Sequence, residues 1–240
     1  MLLVEADWLS SKYNGGDWKD SIIVVDGSWY LPNQKRDPLK EHMDCRIPKA
    51  QFFDIDSVCD PSSNLPHTIP DTNKFEKSMN KLGLKNTSHI VIYSKDGIAT
   101  SPRVWWLLKI FGHQKISILN GGLKAWIDIG GQSETGQYEN ISTNSYKANY
   151  NNNFFCNTEE VKVSMKNNNS QIVDARSQGR FKGIEPEPRK NLKAGHIPGS
   201  KNLPYQFFLN EKGFLLKADQ IKNVIAKADV DLNKPIISTC

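Results

Sequence analysis

One order of local signals occurs twice in this chain of 240 residues, and it restricts the fold more than any other feature. Ile22-Ile23-Val24-Val25-Asp26 is a β-branched run closed by an acid, which reads as a buried strand leading into a loop, and Ile172-Val173-Asp174 repeats it. Each run is followed by a proline turn, Arg46-Ile47-Pro48-Lys49-Ala50 or His196-Ile197-Pro198-Gly199-Ser200, and then by an apolar segment. Phe75, Met79 and Leu82 recur at helical spacing before Gly83, as do Ile221, Val224, Ile225 and Ala228 in the second half. Both helices lead into a strand, His89-Ile90-Val91-Ile92-Tyr93-Ser94 and Pro235-Ile236-Ile237-Ser238-Thr239-Cys240.

Strands alternating with helices imply α/β units with a mainly parallel sheet flanked by helices, because parallel strands need crossover connections. Two such units in tandem are expected. The first spans 1–136, a polar linker containing Asn151-Asn152-Asn153 covers 137–157, and the second spans 158–240. After Ser94 the first unit continues with a helix opened by Pro102, a strand Ile116-Ser117-Ile118-Leu119, the turn Asn120-Gly121-Gly122 and a helix carrying Leu123, Trp126 and Ile127. Nothing in the sequence matches these after Cys240, so the second unit is expected to be incomplete at its C-terminal end, short by on the order of 40 residues.

The net charge of +5 comes from scattered Lys and Arg, which gives a nucleic-acid partner little support and accommodates a small anionic substrate. Cys45, Cys59, Cys156 and Cys240 show no C-x-x-C spacing in a chain too large to depend on disulfides, and are read as reduced thiols. No stretch approaches the length of a membrane span, so a cytoplasmic protein without a membrane partner is expected. The residues call for neither a metal nor an organic cofactor.

Three groups of residues are candidates for chemistry. Cys240 closes a strand, expected to be buried, at the carboxyl edge of an α/β sheet, where ligands usually bind, and a thiol there is open to activation by loop N–H groups and the next helix N-terminus. The alternative is a buried structural cysteine. Arg180, and Arg189 in the proline-stiffened Glu185-Pro186-Glu187-Pro188-Arg189, suit bidentate binding of a small acid, or are surface arginines paired with Glu185 and Glu187. Asp56 and His67 lie on one long loop; an Asp can orient an imidazole that moves a proton, though an Asp and a His so spaced are usually unrelated. Trp105-Trp106 reads as core rather than as a stacking platform.

Taken together, Asp26-Gly27-Ser28-Trp29-Tyr30-Leu31-Pro32, Phe53-Asp54-Ile55-Asp56, Pro102-Arg103-Val104-Trp105-Trp106, Asn120-Gly121-Gly122-Leu123, Pro186-Glu187-Pro188-Arg189 and Gly195-His196-Ile197-Pro198-Gly199-Ser200 resemble the two-domain rhodanese family, most of all its 3-mercaptopyruvate sulfurtransferases. The resemblance implies a non-catalytic first domain, with Ser94 where the second has its nucleophile Cys240. It implies Arg180 and Arg189 as substrate ligands, Asp56 and His67 as a proton relay with a serine of the loop after the cysteine, and a thiol acceptor such as thioredoxin, or cyanide. Thiosulfate as donor, a non-catalytic sulfur-binding or docking protein, and a cysteine phosphatase of related fold are the alternatives. Lys49 departs from the family, whose turn resembles His-Ile-Pro-Gly-Ala, and puts that turn's geometry in question.

Overall fold

The computed structural model describes residues 1–16, 21–139, 142–189 and 192–240. The chain divides into two compact units, Met1–Tyr30 with Gln34–Asn152, and Leu31–Asn33 with Asn153–Cys240. No helix among the described residues is long and apolar enough to cross a membrane.

In the first unit the strands are β1 (Leu3–Val4), β2 (Ile22–Asp26), β3 (Gln51–Phe52), β4 (His89–Tyr93) and β5 (Ile116–Leu119), all parallel, in the order β1-β5-β4-β2-β3. The helices are α1 (Ala6–Gly15), α2 (Pro38–Asp44), α3 (Thr72–Lys81), α4 (Ser101–Ile110) and α5 (Gly122–Asp128). The central strands are apolar on both faces because helices cover both, as in parallel sheets generally. Val25, Ile90, Ile92, Phe75, Met79, Val104 and Leu107 are fully buried in one cluster, against which Trp105 and Trp106 pack. The Trp pair is therefore part of the packing. Asp71 caps α3 by accepting from the Lys74 N–H, and the helix stops before Gly83 at φ +70°.

The second unit holds α6 (Thr158–Asn167), β6 (Gln171–Asp174), α7 (Gln178–Lys182), β7 (Lys201–Asn202), α8 (Ala218–Lys227) and β8 (Ile236–Thr239). Its sheet is parallel in the order β7-β6-β8, the counterpart of β3-β2-β4. The correspondence holds bond by bond. Asp26 is level with Tyr93 and Asp174 with Thr239; the next residues, Gly27 and Ala175, donate their N–H to Tyr93 O and Thr239 O, each at 2.8 Å. Phe53 and Leu203 donate to Asp26 O and Asp174 O, again each at 2.8 Å. Ser94 and Cys240 consequently occupy the same place, one residue past the aligned strand ends.

Two expectations change. Strand β8 is not buried: Ile236 is 44% exposed, and among the described residues β8 pairs with β6 and has no strand on its other edge, whereas β4 lies between β2 and β5. The core of the second unit is correspondingly small, with Val173, Leu203 and Val230 buried against half-buried Phe208, Val224, Ile225 and Ala228. The stretch expected as a linker, of which 140–141 lie outside the described residues, is largely laid onto the first unit. Tyr146 in it is fully buried, ring to ring with His113 and Phe75, while Asn149 and Asn151 donate to Phe111 O and Ile110 O. Low apolar periodicity concealed this because one aromatic anchor and backbone hydrogen bonds hold the segment.

The Arg46–Ala50 turn keeps its geometry despite Lys49. Ala50 N–H donates to Ile47 O and Ser200 N–H to Ile197 O, each at 3.0 Å, and Lys49 adopts φ +61° where the other turn has Gly199 at +78°. A side chain in the left-handed region costs about 1–2 kcal/mol, partly offset on replacement by the greater chain entropy of an unfolded glycine. Lys49→Gly is expected to stabilise the first unit by about 0.5–1 kcal/mol; a lower thermal midpoint for the variant would refute this reading of the turn.

Candidate active site

Cys240 is exposed and carries a free thiol directly beyond β8, at the carboxyl edge of the sheet. The adjacent strand end is heavily charged. Asp174, 1% exposed, closes β6, turns back to accept the Arg176 N–H at 2.9 Å, and binds the Arg176 guanidinium through Nε (3.0 and 3.2 Å) and Nη2 (2.6 Å). Arg176 Nη1 donates to Glu187 Oε1 at 2.8 Å and Nη2 to Gly195 O at 2.7 Å. Arg180, on α7, donates to Glu187 Oε2 from Nη2 at 2.7 Å and Nε at 3.2 Å. Burial alone would raise the Asp174 carboxyl, but the hydrogen bonds and charge of Arg176 outweigh it and hold the group below the usual carboxylate range.

Arg180 thus has Glu187 as a partner, one of the two acids weighed against it in the sequence. The bonds to Glu187 involve two of the five N–H donors of a guanidinium, and they fix its plane. Arg189 is half-buried at the end of the same loop. The residue that sequence reasoning passed over is Arg176, which shares with Arg180 the acceptor Glu187, whose side chain is only 5% exposed. A signal existed: an Asp ending a strand accepts readily from the N–H two residues on, so position 176 was marked for a close partner. The first unit makes the same turn with a serine, Ser28 N–H donating to Asp26 Oδ1 at 3.0 Å, and there a buried His42 meets Asp26 Oδ2 at 2.8 Å.

Ser94, at the place matching Cys240, is 2% exposed and its hydroxyl donates to Gly97 O at 2.8 Å. The loop that follows is pressed against the start of α5, where Leu123 N–H donates to Ser94 O at 3.1 Å and a Cβ on Gly122 would lie 2.2 Å from that oxygen. A buried hydroxyl so engaged has no route to a substrate. Two residues further on, Asp96 binds Arg36, which also binds Glu41 and Tyr30.

Asp56 and His67, distant in sequence terms, are in contact: His67 Nε2 is 2.6 Å from Asp56 Oδ1. They are brought together by the long loop between β3 and α3. Asp54 Oδ1 accepts the N–H groups of Asp56 and Ser57, tightening the loop at one end, and Arg103 Nη2 on α4 donates to the His67 carbonyl at the other. Trp29 Nε1 donates to both Asp56 oxygens, at 3.1 and 3.0 Å. Cys59 donates its thiol to Asp56 O at 2.9 Å; Cys45 and Cys156 are also free. No group of three or more His, Cys, Asp or Glu that could hold a metal occurs among the described residues.

The family model for the rhodanese-like domain matches this chain twice, at residues 5–129 and 157–240. The human 3-mercaptopyruvate sulfurtransferase is 35% identical over 240 residues, covering 99% of this chain and 80% of that protein. The bovine thiosulfate sulfurtransferase is 35% identical over 241 residues with the same coverages. The mitochondrial thiosulfate/3-mercaptopyruvate sulfurtransferase 1 of Arabidopsis thaliana is 33% identical, over 99% of this chain and 67% of its own length. Among solved structures, the 3-mercaptopyruvate sulfotransferase SseA of Escherichia coli superposes with a TM-score of 0.90 at 32% identity, covering all of this chain and 88% of that one.

Proposed function

The chain belongs to the rhodanese-like family and is a sulfurtransferase, and on that premise we propose that it moves sulfur from 3-mercaptopyruvate through a persulfide on Cys240 to a thiol acceptor. The observation that carries the reading is the placement of Cys240, one residue past a strand end that is level with Asp174 and its arginine cluster. Arg180 and Arg189 hold the carboxylate and carbonyl oxygens of the substrate. The Cys240 thiolate attacks the substrate sulfur, the carbon–sulfur bond breaks with its electron pair passing to carbon, and pyruvate leaves as its enolate. The proton of the substrate thiol passes to the Asp56–His67 pair, and the enolate takes up a proton to give pyruvate. An acceptor thiolate such as that of reduced thioredoxin, or cyanide, then attacks the outer sulfur and restores the Cys240 thiolate.

Free thiols at all four cysteines fit a reducing compartment, and a cytoplasmic location is part of the proposal.

Mass spectrometry of the full-length protein after exposure to 3-mercaptopyruvate without acceptor is expected to find one added sulfur atom on the peptide carrying Cys240. An unmodified peptide alongside active turnover would overturn the mechanism. Thiosulfate is the competing donor, and faster turnover on thiosulfate at matched concentrations would overturn the donor assignment.

A further inference from the structure

We propose that Trp29 is a positioning residue for sulfur transfer, one that acts through Asp56 to hold the Asp56–His67 pair in its working geometry; the inference rests on the relay role proposed above. The Asp56 side chain is 66% exposed, and in water a carboxylate on a loop samples several rotamers. Its backbone is anchored by Asp54 and Cys59, but those bonds leave the side-chain torsions unconstrained. The constraint on the carboxylate comes from the indole, whose Nε1–H is shared between Oδ1 at 3.1 Å and Oδ2 at 3.0 Å. A donor equidistant from both oxygens fixes the direction in which the carboxylate points, and the contact of Oδ1 with His67 Nε2, 2.6 Å away, then sets the plane of the group.

The same indole holds the imidazole. The Trp29 and His67 rings meet edge to face, with centroids 4.9 Å apart and an interplanar angle of 87°. Trp29 can act as a fixed post because it is itself packed against the main core cluster of the first unit. His67 needs such support. Its backbone sits at φ +58°, a costly conformation for a residue with a side chain, and its carbonyl is held by Arg103, whose guanidinium lies over the Trp106 ring at 4.9 Å. Both halves of the pair are thus referred to the rigid core through tryptophan and arginine, while the pair itself lies on an exposed loop.

The test is a double-mutant cycle in the full-length protein, with sulfur transfer from 3-mercaptopyruvate to cyanide as the assay. Trp29→Phe keeps a ring against the core and removes the donor. It is expected to lower kcat about tenfold while KM for 3-mercaptopyruvate changes less than about twofold, since proton transfer and not binding is affected. Asp56→Asn is expected to lower kcat about a hundredfold, and adding Trp29→Phe to it should change kcat by less than about twofold, because the group Trp29 acts on is already gone. Equal losses from Trp29→Phe in both backgrounds, or undiminished kcat in the single variant, would overturn the positioning role while leaving the relay intact. Full activity of Asp56→Asn would remove the relay and Trp29 with it. A readout independent of turnover is the indole N–H resonance of Trp29, expected to move upfield in Asp56→Asn as the charged acceptor is lost; an unmoved resonance refutes the contact on which the inference stands.

Discussion

Replacing Cys240 by serine in the full-length protein is expected to lower sulfur transfer by at least about a thousandfold. A serine hydroxyl stays protonated at neutral pH, is a poor nucleophile toward sulfur, and cannot store the transferred atom as a persulfide. Serine differs from cysteine by a single atom, so the substitution should change stability by about 1 kcal/mol or less, and lost turnover then reports chemistry rather than unfolding. Steady-state turnover with 3-mercaptopyruvate and cyanide checks the first expectation and a thermal melt the second. Substantial turnover in the variant would transfer the nucleophile's role to another cysteine.

Arg176→Leu should have the largest effect on stability, about 3–5 kcal/mol, because it leaves the almost fully buried Asp174 carboxylate without its guanidinium. Asp174→Asn added to Arg176→Leu should recover part of the loss, since the penalty comes from the unpaired charge more than from the lost bonds. The sign of the pH dependence follows from the depressed carboxyl of Asp174. The stability it contributes is fully present above the unfolded value of about 3.9 and is lost as pH falls through the lower folded value. Arg176→Leu removes that contribution, and acid unfolding should begin at higher pH than in the wild type. All six tryptophans, residues 8, 18, 29, 105, 106 and 126, lie in the first 126 residues, so indole fluorescence does not follow the second unit. Amide hydrogen exchange at Gln171–Asp174 does, and unchanged protection there in Arg176→Leu would contradict the assignment.

The two-unit α/β organisation and the succession β2, β3, α3, β4 repeated as β6, β7, α8, β8 were legible because each rests on short-range signals, whereas the order β1-β5-β4-β2-β3 within the sheet depends on which strands pair. β-branched runs ending in Asp26 and Asp174, proline turns and glycine stops all act within a few residues of where they are written. The equivalence of Ser94 and Cys240 was legible for the same reason, since counting along two copies of one pattern gives it. Asp56 and His67 were legible only as a resemblance. The loop between them has no periodicity, and its conformation is set by Asp54 at its own start and by Arg103 and Trp29 from other parts of the first unit. Tyr146 was missed because a single aromatic residue in a polar stretch carries no pattern, although it fills a space between Phe75 and His113.

By itself, the sequence determined the succession of the main strands and helices in each unit, that the sheets are mainly parallel, and that one thiol stands at the carboxyl edge of a strand, because local sterics and hydrophobic period suffice for these; β1, α1, α2, α6 and α7 were not read from it. Only the tertiary structure decided that Arg180 is tied to Glu187, that Arg176 neutralises Asp174, and that Trp29 reaches Asp56. Those outcomes depend on where side chains from separate segments converge, and on how burial weighs one charge against another.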